Sequence, residues 1–438
     1  MYPSKYLKAW SLVEKPGYLL LYSTKKGSVA MLEQEEYARF IAGRLSAELI
    51  DPLTELGMLV TDPARERQEV YAMLPEINRL NPNLNISVIV NLDCNFNCRY
   101  CYEGSLKDRI YMSQETVGQL VEFIKGRLRP GIKKVALDFY GGEPLLSLNL
   151  IKELSARLQT MLAERGVAYT FSLVTNGSLL TRKTVAELVA LGLIGAKVTI
   201  DGPPANHNLF RPFKNGTASF ELIVKNITDC CDLLKLAVNG NFTRDNYHSF
   251  PELLDILAAQ GLSPYRLHQV TFHPVMQVSD RFSSPEFTGG CAAISEPWLT
   301  GASLYLHKEI LRRGYQTHKI TPSPCMVDLD EALVINHDGG IFKCVSMIGH
   351  DDYKVGDIRQ GVADYAATYH LDHWRRHDQC CDCKYLPLCF GGCRYMKFQR
   401  DGEMAGVDCQ RSYWDATLET LIRQQVNQGQ STGSAALC

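Results

Sequence analysis

The sequence lacks the long hydrophobic runs that mark a membrane protein. No stretch approaches about 18 consecutive apolar residues, and the first residues have no basic head before an uninterrupted apolar segment. Neither a membrane span nor a signal peptide is therefore expected. Net charge is also small, −2 from 46 Lys+Arg and 48 Asp+Glu, with no long Lys/Arg run. These absences argue against nucleic-acid and membrane partners, so we expect a cytoplasmic protein whose partners are recognised locally.

Cysteine is what the sequence has in excess. The chain has 438 residues, of which 45% are hydrophobic and 21% charged, a composition typical of globular proteins with a substantial core. At about 100 to 200 residues per domain, two to four domains are expected. The 15 cysteines are an odd number in a chain without a secretion signal. Because disulfides are rare in reducing cytosol, clustered thiols predict metal ligands or catalytic groups.

Residues 1–80 predict a small α/β module. Two apolar runs, GYLLLYS and SVAML, are joined by a Lys-Gly turn, which is a hairpin signal. A helical stripe of Tyr37, Phe40 and Ile41 follows, and then a short helix from near Pro52 to Gly57 and the strand MLV. This arrangement indicates a winged-helix-like domain. A packing extension of the next domain is the alternative.

Residues 84–300 predict a series of parallel βα units. The strand-like runs, which alternate with amphipathic segments, are ISVIVNL, KVALDFY, YTFSLVTN, AKVTIDG, KLAVNGNF and YRLHQVTFHPV. The alternation alone does not choose between a partial barrel and a flat, doubly wound sheet. In both architectures, ligand sites belong at the C-terminal ends of the strands.

A third segment, residues 310–424, is rich in cysteine and poor in periodic pattern. Eight of the 15 cysteines lie between residues 325 and 409, where a bound metal or cluster would supply the stability that a core normally gives. A helix is expected near Leu304 to Arg313. Residues 425–438 end in small and polar residues and predict a flexible tail.

The first cysteine motif directly follows the first βα strand. NLDCNFNCRYCYEG places Cys94, Cys98 and Cys101 in a CxxxCxxC spacing on one short loop. A structural zinc site takes four protein ligands, and this loop has no fourth Cys or His, so a site with three thiolates would leave one metal position open. A metal position without a protein ligand indicates a reactive site, because another molecule must coordinate there. Zinc, or chance clustering, is the alternative on spacing alone.

This motif resembles the cluster loop of the radical S-adenosylmethionine (SAM) superfamily, in which an aromatic residue, here Tyr100, precedes the third cysteine. The resemblance implies a partial (β/α)6 barrel and a 4Fe–4S cluster whose fourth iron is chelated by the amine and carboxylate of SAM. It implies that SAM is cleaved to methionine and a 5′-deoxyadenosyl radical, which abstracts hydrogen from the substrate. It also implies an electron donor such as flavodoxin or ferredoxin.

Further matches follow the next strands in chain order. Gly141, Gly142 and Glu143 begin GGEP and resemble the segment that binds the methionine amino group, since glycines allow close backbone approach and Glu143 can accept from an ammonium. LVTNGSLL and TIDGPPANHNLFR follow the third and fourth strands. Each segment alone also fits an ordinary turn or surface loop. The resemblance implies contacts to the ribose and carboxylate of SAM from Ser172, Asn176, Asp201 and Arg211.

The later cysteines resemble the SPASM extension of radical SAM enzymes, and a paired-knuckle zinc ribbon is the alternative. Their order is Cys325, Gly339, Cys344, Cys380-x2-Cys383-x5-Cys389-x3-Cys393 and Cys409. The resemblance implies two auxiliary iron–sulfur clusters, expected to be of the 4Fe–4S type. One would be held by Cys380, Cys383, Cys389 and Cys409, and the other by Cys325, Cys344 and Cys393.

Two ligand assignments stay open. Cys381 lies beside Cys380 and is an alternative ligand of the same cluster. The other auxiliary cluster has no evident fourth thiolate, so its fourth iron is either open or bound by an oxygen of Asp328, Asp330 or Glu331. The cysteines that match no motif are expected to be small buried residues; they are Cys230, Cys231 and Cys291.

The N-terminal module weakly resembles the recognition element of ribosomally made peptide pathways, in which a leader peptide adds as a strand beside a hairpin. The whole chain therefore resembles a radical SAM/SPASM peptide maturase. That resemblance implies a precursor-peptide substrate and a thioether or carbon–carbon crosslink as the product, with electrons passed to the auxiliary clusters.

Two other functions are kept as alternatives. One is a sulfatase maturase that forms formylglycine, although Val345 follows Cys344 where those relatives usually carry an acidic base. The other is a zinc-stabilised peptide-binding protein without enzymatic activity. No catalytic acid or base is assigned. Near the sixth strand, packed or solvated side chains are expected for Tyr265, His268 and His273.

Overall fold

The computed structural model describes residues 1–101, 103–276, 294 and 296–431. The chain divides into two compact units. The first combines Met1–Leu80, His318–Leu329 and the chain from His370 onward, and the second combines Asn81–Thr317 and Asp330–Tyr369. These units divide the cysteine-rich segment between them, so the sequence-based domain boundaries stay a prediction.

The N-terminal segment forms a three-stranded antiparallel sheet and three helices. Its elements are β1 (Tyr2–Pro3), β2 (Leu7–Ser11), β3 (Tyr18–Ser23), β4 (Val29–Glu33), α1 (Gln34–Ile41), α2 (Ala47–Glu55), β5 (Leu59–Val60) and α3 (Pro63–Leu80). The sheet has the order β2-β3-β4, and β1 pairs with β5. The predicted hairpin is confirmed as β3 and β4, which pair in antiparallel register.

Some local expectations for this segment were wrong. Helix α2 begins at Ala47, not near Pro52, and it contains the proline at the cost of one backbone hydrogen bond. Ile41 is 52% exposed whereas Phe40 is buried, so the apolar stripe of α1 is narrower than expected. Helix α3 was not predicted, because Pro75 interrupts a pattern that the structure nevertheless folds as one helix.

All six predicted βα strands are present and pair in parallel in chain order. The elements are β6 (Asn83–Asn91), α4 (Gln114–Gly126), β7 (Lys134–Gly141), α5 (Leu148–Ala163), β8 (Ala168–Thr175), α6 (Arg182–Val189), β9 (Leu193–Thr199), α7 (Pro204–Phe210), α8 (Phe220–Cys230), β10 (Lys235–Phe242), α9 (Phe250–Ala259), β11 (Leu267–Pro274) and α10 (Pro297–Arg312). The helix expected at Leu304 is α10, which begins earlier. This mixed α/β architecture is the predicted partial (β/α)6 barrel.

Four further strands extend the barrel sheet beyond β6. They are β12 (Ala332–Ile335), β13 (Gly340–Phe342), β14 (Gly356–Asp357) and β15 (Gly361–Val362). Strand β12 pairs in parallel with β6, and the other three continue the sheet in antiparallel pairing. All residues of β12 are buried, so part of the cysteine-rich segment does contribute to a core, contrary to expectation.

The remaining helices belong to the first unit. They are α11 (Asp378–Cys381), α12 (Leu386–Cys389), α13 (Arg394–Asp401) and α14 (Arg411–Ser431). The predicted tail therefore begins inside α14, and residues 432–438, like Cys291, lie outside the described residues. Among the described helices, none is long and apolar enough to cross a membrane.

Candidate functional site

The first cysteine loop connects β6 to α4 and is held by the segment that follows α7. The Asn97 N–H donates to the Pro212 carbonyl at 2.9 Å, and the Arg99 N–H donates to the Phe210 carbonyl at 3.1 Å. Cys94 is buried, and Cys98 and Cys101 are half-buried. The three thiols therefore lie on one loop at the C-terminal end of β6, where the βα pattern predicts a ligand site.

The donor set of this loop fits a polynuclear cluster. Burial raises the pKa of Cys94, and it raises the pKa of Cys101 to about 12. Within the part of the chain that the structure describes, no three His, Cys, Asp or Glu side chains surround a point suited to a single metal ion. Thiolates of a cluster each bind a different iron and so need not converge on one point.

Lys107 is a site residue that the sequence analysis missed. Its Nζ donates to the Phe96 carbonyl at 3.3 Å and also hydrogen-bonds to Cys101. Burial lowers the pKa of Lys107, but its interaction with the three cysteines in their ionised form raises it, and the net shift is upward. Beside it, burial raises the pKa of Glu103 to about 7, against the opposing charge of Lys107. Neither residue belongs to a recognised motif, so only the fold reveals them.

The GGEP segment brings the ends of β6 and β7 into close contact. A Cβ on Gly142 would lie 2.1 Å from the carbonyl oxygen of Asp93, and one on Gly141 would lie 2.2 Å from that of Asn91. The Glu143 N–H donates to the Asp93 carbonyl at 2.7 Å. Only glycine fits this approach, so the two glycines hold the cysteine loop against the second strand end.

The carboxylate of Glu143 is fully buried and joins the second and third strand ends. It accepts hydrogen bonds from Thr175 Oγ1 at 2.7 Å, the Asn176 N–H at 2.8 Å and the Leu145 N–H at 3.1 Å. Burial raises its pKa. A contact from Glu143 to an ammonium stays a prediction, because protein donors already surround the carboxylate.

The two polar candidates on or after β8 have different surroundings. Asn176 Nδ2 donates to Asn95 Oδ1 at 2.7 Å and lies 3.9 Å from Cys94 Sγ, so this side chain contacts the cysteine loop. Ser172 lies further back on β8 and donates to Asp138 Oδ1 at 2.8 Å. Their roles in binding SAM stay predictions.

Tyr100, Asp201 and Arg211 form one buried network with Asn241. The Tyr100 hydroxyl donates to Asp201, and it accepts from Arg211 Nη1 at 2.7 Å and from Asn241 Nδ2 at 3.0 Å. Burial raises the pKa values of Tyr100 and Asp201. Asn241 was missed because it lies near the end of β10, where its N–H donates to Asp201 Oδ1 at 2.7 Å, and it belongs to no recognised motif.

One donor in this network is unsatisfied. Arg211 Nε is buried and has no hydrogen-bond partner among the described residues. A buried guanidinium with an unpaired N–H is suited to an anionic acceptor such as a carboxylate. The three thiols, the glycine contact and this donor together fit a 4Fe–4S cluster and SAM at the C-terminal edge of the barrel.

A second set of cysteines lines one cavity in the first unit. The four cysteines that line this cavity are Cys380, Cys383, Cys389 and Cys409. Cys381 does not line it; its Sγ lies 3.6 Å from the Arg375 carbonyl oxygen and 3.8 Å from that of Trp374. This geometry favours Cys380 over Cys381 as the ligand.

The other predicted auxiliary ligands fall in both units. Cys325 and Cys393 belong to the first unit, where burial raises both pKa values, while Cys344 precedes the short turn Val345–Met347 of the second unit. Their grouping around one cluster stays a prediction. Burial of Cys230 and Cys231 is confirmed.

The three carboxylates considered as oxygen ligands already have protein partners. Asp328 makes a buried ion pair with Arg394, with a closest distance of 2.5 Å. Glu331 pairs with Arg127 at 2.9 Å and with Arg129 at 3.0 Å. Asp330 Oδ1 accepts from the Tyr365 hydroxyl at 3.3 Å. The choice between an open iron and an oxygen ligand stays a prediction.

The three residues considered near the sixth strand lie at different ends of that strand. Tyr265 is fully exposed and precedes β11, and His268 is exposed near its start. Only His273 lies at the C-terminal end, on the same edge as the cysteine loop. Tyr265 and His268 therefore lie away from the site.

Sequence comparison identifies the class of protein. The model of the radical SAM superfamily matches residues 88–257. A serine-type anaerobic sulfatase-maturating enzyme from Klebsiella aerogenes is 30% identical over 325 residues, which cover 68% of this chain and 76% of that protein. The chain belongs to the radical SAM superfamily, and this family implies a 4Fe–4S cluster and SAM.

Within that superfamily, the relatives include sulfatase-maturating enzymes and a cyclopropyl synthase. Radical SAM cyclopropyl synthase TigE from Paramaledivibacter caminithermalis is 26% identical over 183 residues, 38% of this chain. The match spans only 36% of the length of TigE.

Solved structures share the fold at low sequence identity. The structure of anSMEcpe with bound AdoMet and Cp18Cys peptide has a TM-score of 0.63 at 18% identity and covers 79% of this chain and 99% of that one. Streptococcus suis SuiB bound to precursor peptide SuiA has a TM-score of 0.54 at 13% identity and covers 93% of this chain and 98% of that one.

Proposed function

We propose that this radical SAM enzyme modifies a ribosomally made precursor peptide and forms a thioether or carbon–carbon crosslink. The observation that carries the proposal is the presence, on one chain, of the three-thiol loop and of an N-terminal sheet with an open edge. Bound SAM would supply a 5′-deoxyadenosyl radical that takes hydrogen from the peptide. The protein residues hold the cluster, bind the cofactor and present the peptide.

Strand β4 provides the edge to which a leader peptide would add. Among the described residues, no strand pairs with the outer side of β4. The Ser23 N–H donates to the Ser28 carbonyl, so the antiparallel ladder continues through Leu21/Ala30 and leaves the backbone groups of Val29 and Met31 pointing outward. Such groups bind an extended peptide through main-chain hydrogen bonds. The crystal structure of SuiB with its precursor peptide supports a peptide as substrate.

The four-thiol cavity supports the oxidative part of the proposal. Forming a crosslink from two X–H bonds removes two hydrogens from the peptide: one leaves as a hydrogen atom, and the second leaves as a proton and an electron. Thiolate-bound clusters reach low reduction potentials and can accept that electron. Four cysteines around one cavity provide a full protein ligand set for a cluster of this kind.

The first test separates the initiating cluster from the auxiliary ones. Anaerobically reconstituted wild type is expected to hold about twelve irons, as three 4Fe–4S clusters, and to form 5′-deoxyadenosine from SAM under dithionite. A Cys94/Cys98/Cys101→Ala triple variant should lose about four irons and all SAM cleavage. Stoichiometric zinc, or cleavage that survives in the variant, would contradict the proposal.

The second test addresses the substrate. Short peptides encoded beside the gene are incubated with the enzyme, and mass spectrometry should show the loss of two hydrogens from one of them. Val29→Pro removes an outward N–H at the start of β4, so it should abolish this change and leave SAM cleavage without peptide unaffected. Val13→Pro, at an 83% exposed position outside the strands, is the control.

A sulfatase maturase is the second candidate, favoured by the 30% identity to the Klebsiella aerogenes enzyme. A short peptide carrying a sulfatase-type Cys or Ser motif, tested under the same conditions, distinguishes the two functions. Conversion of that peptide to formylglycine, with no change in the neighbouring peptides, would replace the crosslinking proposal.

A further inference from the structure

One face of the N-terminal sheet rests on the segment that carries the cavity cysteines. Leu20 and Tyr22 of β3 are fully buried, and they pack in one cluster with Tyr385, Leu388 and residues of α14. The opposite face, with Leu21, packs against α1 and α2. The sheet therefore has a complete core only when the segment between Cys383 and Cys389 is in place.

Polar contacts join the same two regions. Thr24 Oγ1 donates to the Lys384 carbonyl at 2.5 Å. Lys8 Nζ, on β2, donates to the Tyr385 hydroxyl at 2.7 Å, and this hydroxyl donates to Asp415 Oδ1 of α14 at 2.5 Å. Tyr385 thus links a strand of the sheet, the cysteine segment and the last helix.

Tyr385 also belongs to the wall of the cysteine cavity. It lines the cavity together with Cys383, and its backbone N–H donates to Cys383 Sγ at 3.4 Å. One residue therefore contacts both a predicted cluster ligand and the N-terminal sheet. A shift of Cys383 would move the side chain that supports Lys8 and packs beside Tyr22.

The segment that carries the cavity cysteines contains little regular secondary structure that could stabilise it. Helices α11 and α12 have four residues each, which is far below the length at which a helix is stable alone. Helix α3 contributes a second contact, since Val70 and Leu74 share a core cluster with Cys380 and Leu386. Without bound iron, this segment is held by those side-chain contacts and by hydrogen bonds such as those from Thr24 Oγ1 to the Lys384 carbonyl and from the Tyr71 hydroxyl to the Cys381 carbonyl.

We infer that assembly of an iron–sulfur cluster at Cys380, Cys383, Cys389 and Cys409 orders the N-terminal sheet, with Tyr385 as the positioning residue that links the two. This inference rests on the auxiliary cluster of the proposed function. Because ligand binding to a folded site stabilises the structure that forms it, the cluster stabilises the sheet through their shared core. The edge strand β4 is then available to a peptide only in cluster-loaded protein.

Hydrogen exchange of the full-length protein tests this coupling without a peptide. Removing the cluster by Cys383→Ala should speed amide exchange in Tyr18–Ser23 and Val29–Glu33 at least tenfold, while exchange in β6 to β10 stays unchanged. Iron-chelated wild type, which also lacks the initiating cluster, should show at least the same increase in exchange of Tyr18–Ser23 and Val29–Glu33. The matched control is Cys381→Ala, which removes the neighbouring thiol that does not line the cavity and should leave both iron and exchange as in wild type.

A milder variant tests the hydrogen bonds of Tyr385 while the cluster stays bound. Tyr385→Phe keeps the ring in the core but removes the hydroxyl that bonds to Lys8 and Asp415. It should retain all iron and speed exchange in β2 and β3 a few fold. A Tyr385→Phe protein with unchanged exchange would show that this hydroxyl does not carry the coupling.

The remaining outcomes are also decisive. If Cys383→Ala loses about four irons and the exchange of β3 and β4 stays at the wild-type rate, the inference is wrong while the proposed cluster stands. If the variant retains all its iron, the ligand assignment fails and the inference fails with it. Equal loss of protection in β6 to β10 would indicate general unfolding and contradict a selective effect on the sheet.

Discussion

The two cysteine regions differ in what surrounds the thiols. On the loop after β6, three thiols lie with Lys107 and near the buried network of Tyr100, Asp201 and Arg211. In the cavity of the first unit, four thiols lie among Tyr385, Leu386 and Gly391, with the polar residues Gln379, Gln410 and Arg411 also in its wall. The first region offers charged and hydrogen-bonding groups to a further ligand. The second region offers four cysteine thiols around one cavity.

On the proposed function, this difference distinguishes a site that binds SAM and starts the reaction from a site that accepts electrons and stabilises the fold. An iron without a protein ligand must bind something else, and the polar groups around the three-thiol loop provide contacts for that molecule. A cluster held by four cysteines has no such position, and its surroundings act on its potential and stability. The contrast can be tested by changes that should affect one region and leave the other intact.

Gly142→Ala should give the largest effect and should affect only the first region. The added Cβ would lie 2.1 Å from the Asp93 carbonyl oxygen, so the cysteine loop and the end of β7 must separate. We expect loss of about four of the roughly twelve irons and at least a 100-fold decrease in SAM cleavage. Iron analysis measures the first effect, and an assay of 5′-deoxyadenosine formation measures the second.

Gly118→Ala is the matched control for that variant. This glycine lies in α4, and the nearest atom to an added Cβ is Arg157 Nη2 at 3.8 Å. Alanine also favours helix, so iron content and cleavage should stay at wild-type values. Normal activity of the Gly142→Ala enzyme would show that the close approach of the two strand ends is not needed for the site.

Tyr100→Phe should weaken SAM binding and leave all clusters in place. Its hydroxyl bonds to both a buried carboxylate and a buried guanidinium, and hydrogen bonds to charged groups contribute about 1.5 to 3 kcal/mol. We therefore expect a 10- to 100-fold rise in the dissociation constant for SAM, measured by equilibrium dialysis. Tyr111→Phe removes a similar hydroxyl–carboxylate bond, to Asp93, at a 44% exposed position and should change affinity little.

An equal loss of affinity in both tyrosine variants would contradict a specific role of the buried network. A loss of iron from Tyr100→Phe would instead place this residue in cluster assembly. Either result would remove the distinction between the cofactor contacts and the cysteine ligands of the first region.

The sequence predicted the barrel better than the first unit, for a physical reason. Each barrel strand is an apolar run flanked by an amphipathic helix, and the cofactor segments follow the strands directly. The stability of short elements such as α11 and β14 comes from tertiary contacts, which no local pattern shows. Lys107 and Asn241 were missed for the same reason. The folding of the cysteine loop brings Lys107 to the site, and the pairing of β10 with β9 brings Asn241 within hydrogen-bond distance of Tyr100. Helix α3 was missed because Pro75 is a local signal that packing overrides.

Lys107→Met should lower the midpoint potential of the initiating cluster only. Reduction adds a negative charge, and a nearby ammonium stabilises the reduced form, so its removal favours the oxidised form. A loss of about 1.4 kcal/mol corresponds to roughly 59 mV for a one-electron couple. An EPR-monitored redox titration should show this shift in the signal that the Cys94/Cys98/Cys101→Ala variant lacks.

Lys107→Arg keeps the charge and should restore most of the potential. An unchanged potential in Lys107→Met would show that the ammonium moves away when the cluster is bound. A shift of the auxiliary signals as well would contradict the separation of the two regions.

The smallest predicted effect compares the buried histidines of the two regions. Burial lowers the pKa of His207 to about 3, and burial lowers that of His373 to about 4. His207 accepts from the Asp201 N–H at 3.1 Å and contacts Ser219 Oγ at 3.0 Å, while Ser219 donates to the Arg211 carbonyl. This chain of bonds fixes the neutral ring with its proton on Nε2.

Since both folded-state pKa values lie below the ordinary value of about 6.5, the unfolded chain binds protons first as pH falls. The stabilisation is fully present above pH 6.5 and is lost progressively toward pH 3 for His207 and toward pH 4 for His373. Between pH 7 and pH 6, each histidine should lower the free energy of unfolding by roughly 0.7 kcal/mol. Urea denaturation of His207→Gln should therefore show a smaller loss over this pH step than wild type, whereas His268→Gln, at an exposed position, should match wild type. An unchanged pH dependence in His207→Gln would mean that His207 binds protons equally in the folded and unfolded chain, and the neutral ring assigned from its hydrogen bonds to the Asp201 N–H and Ser219 would be wrong.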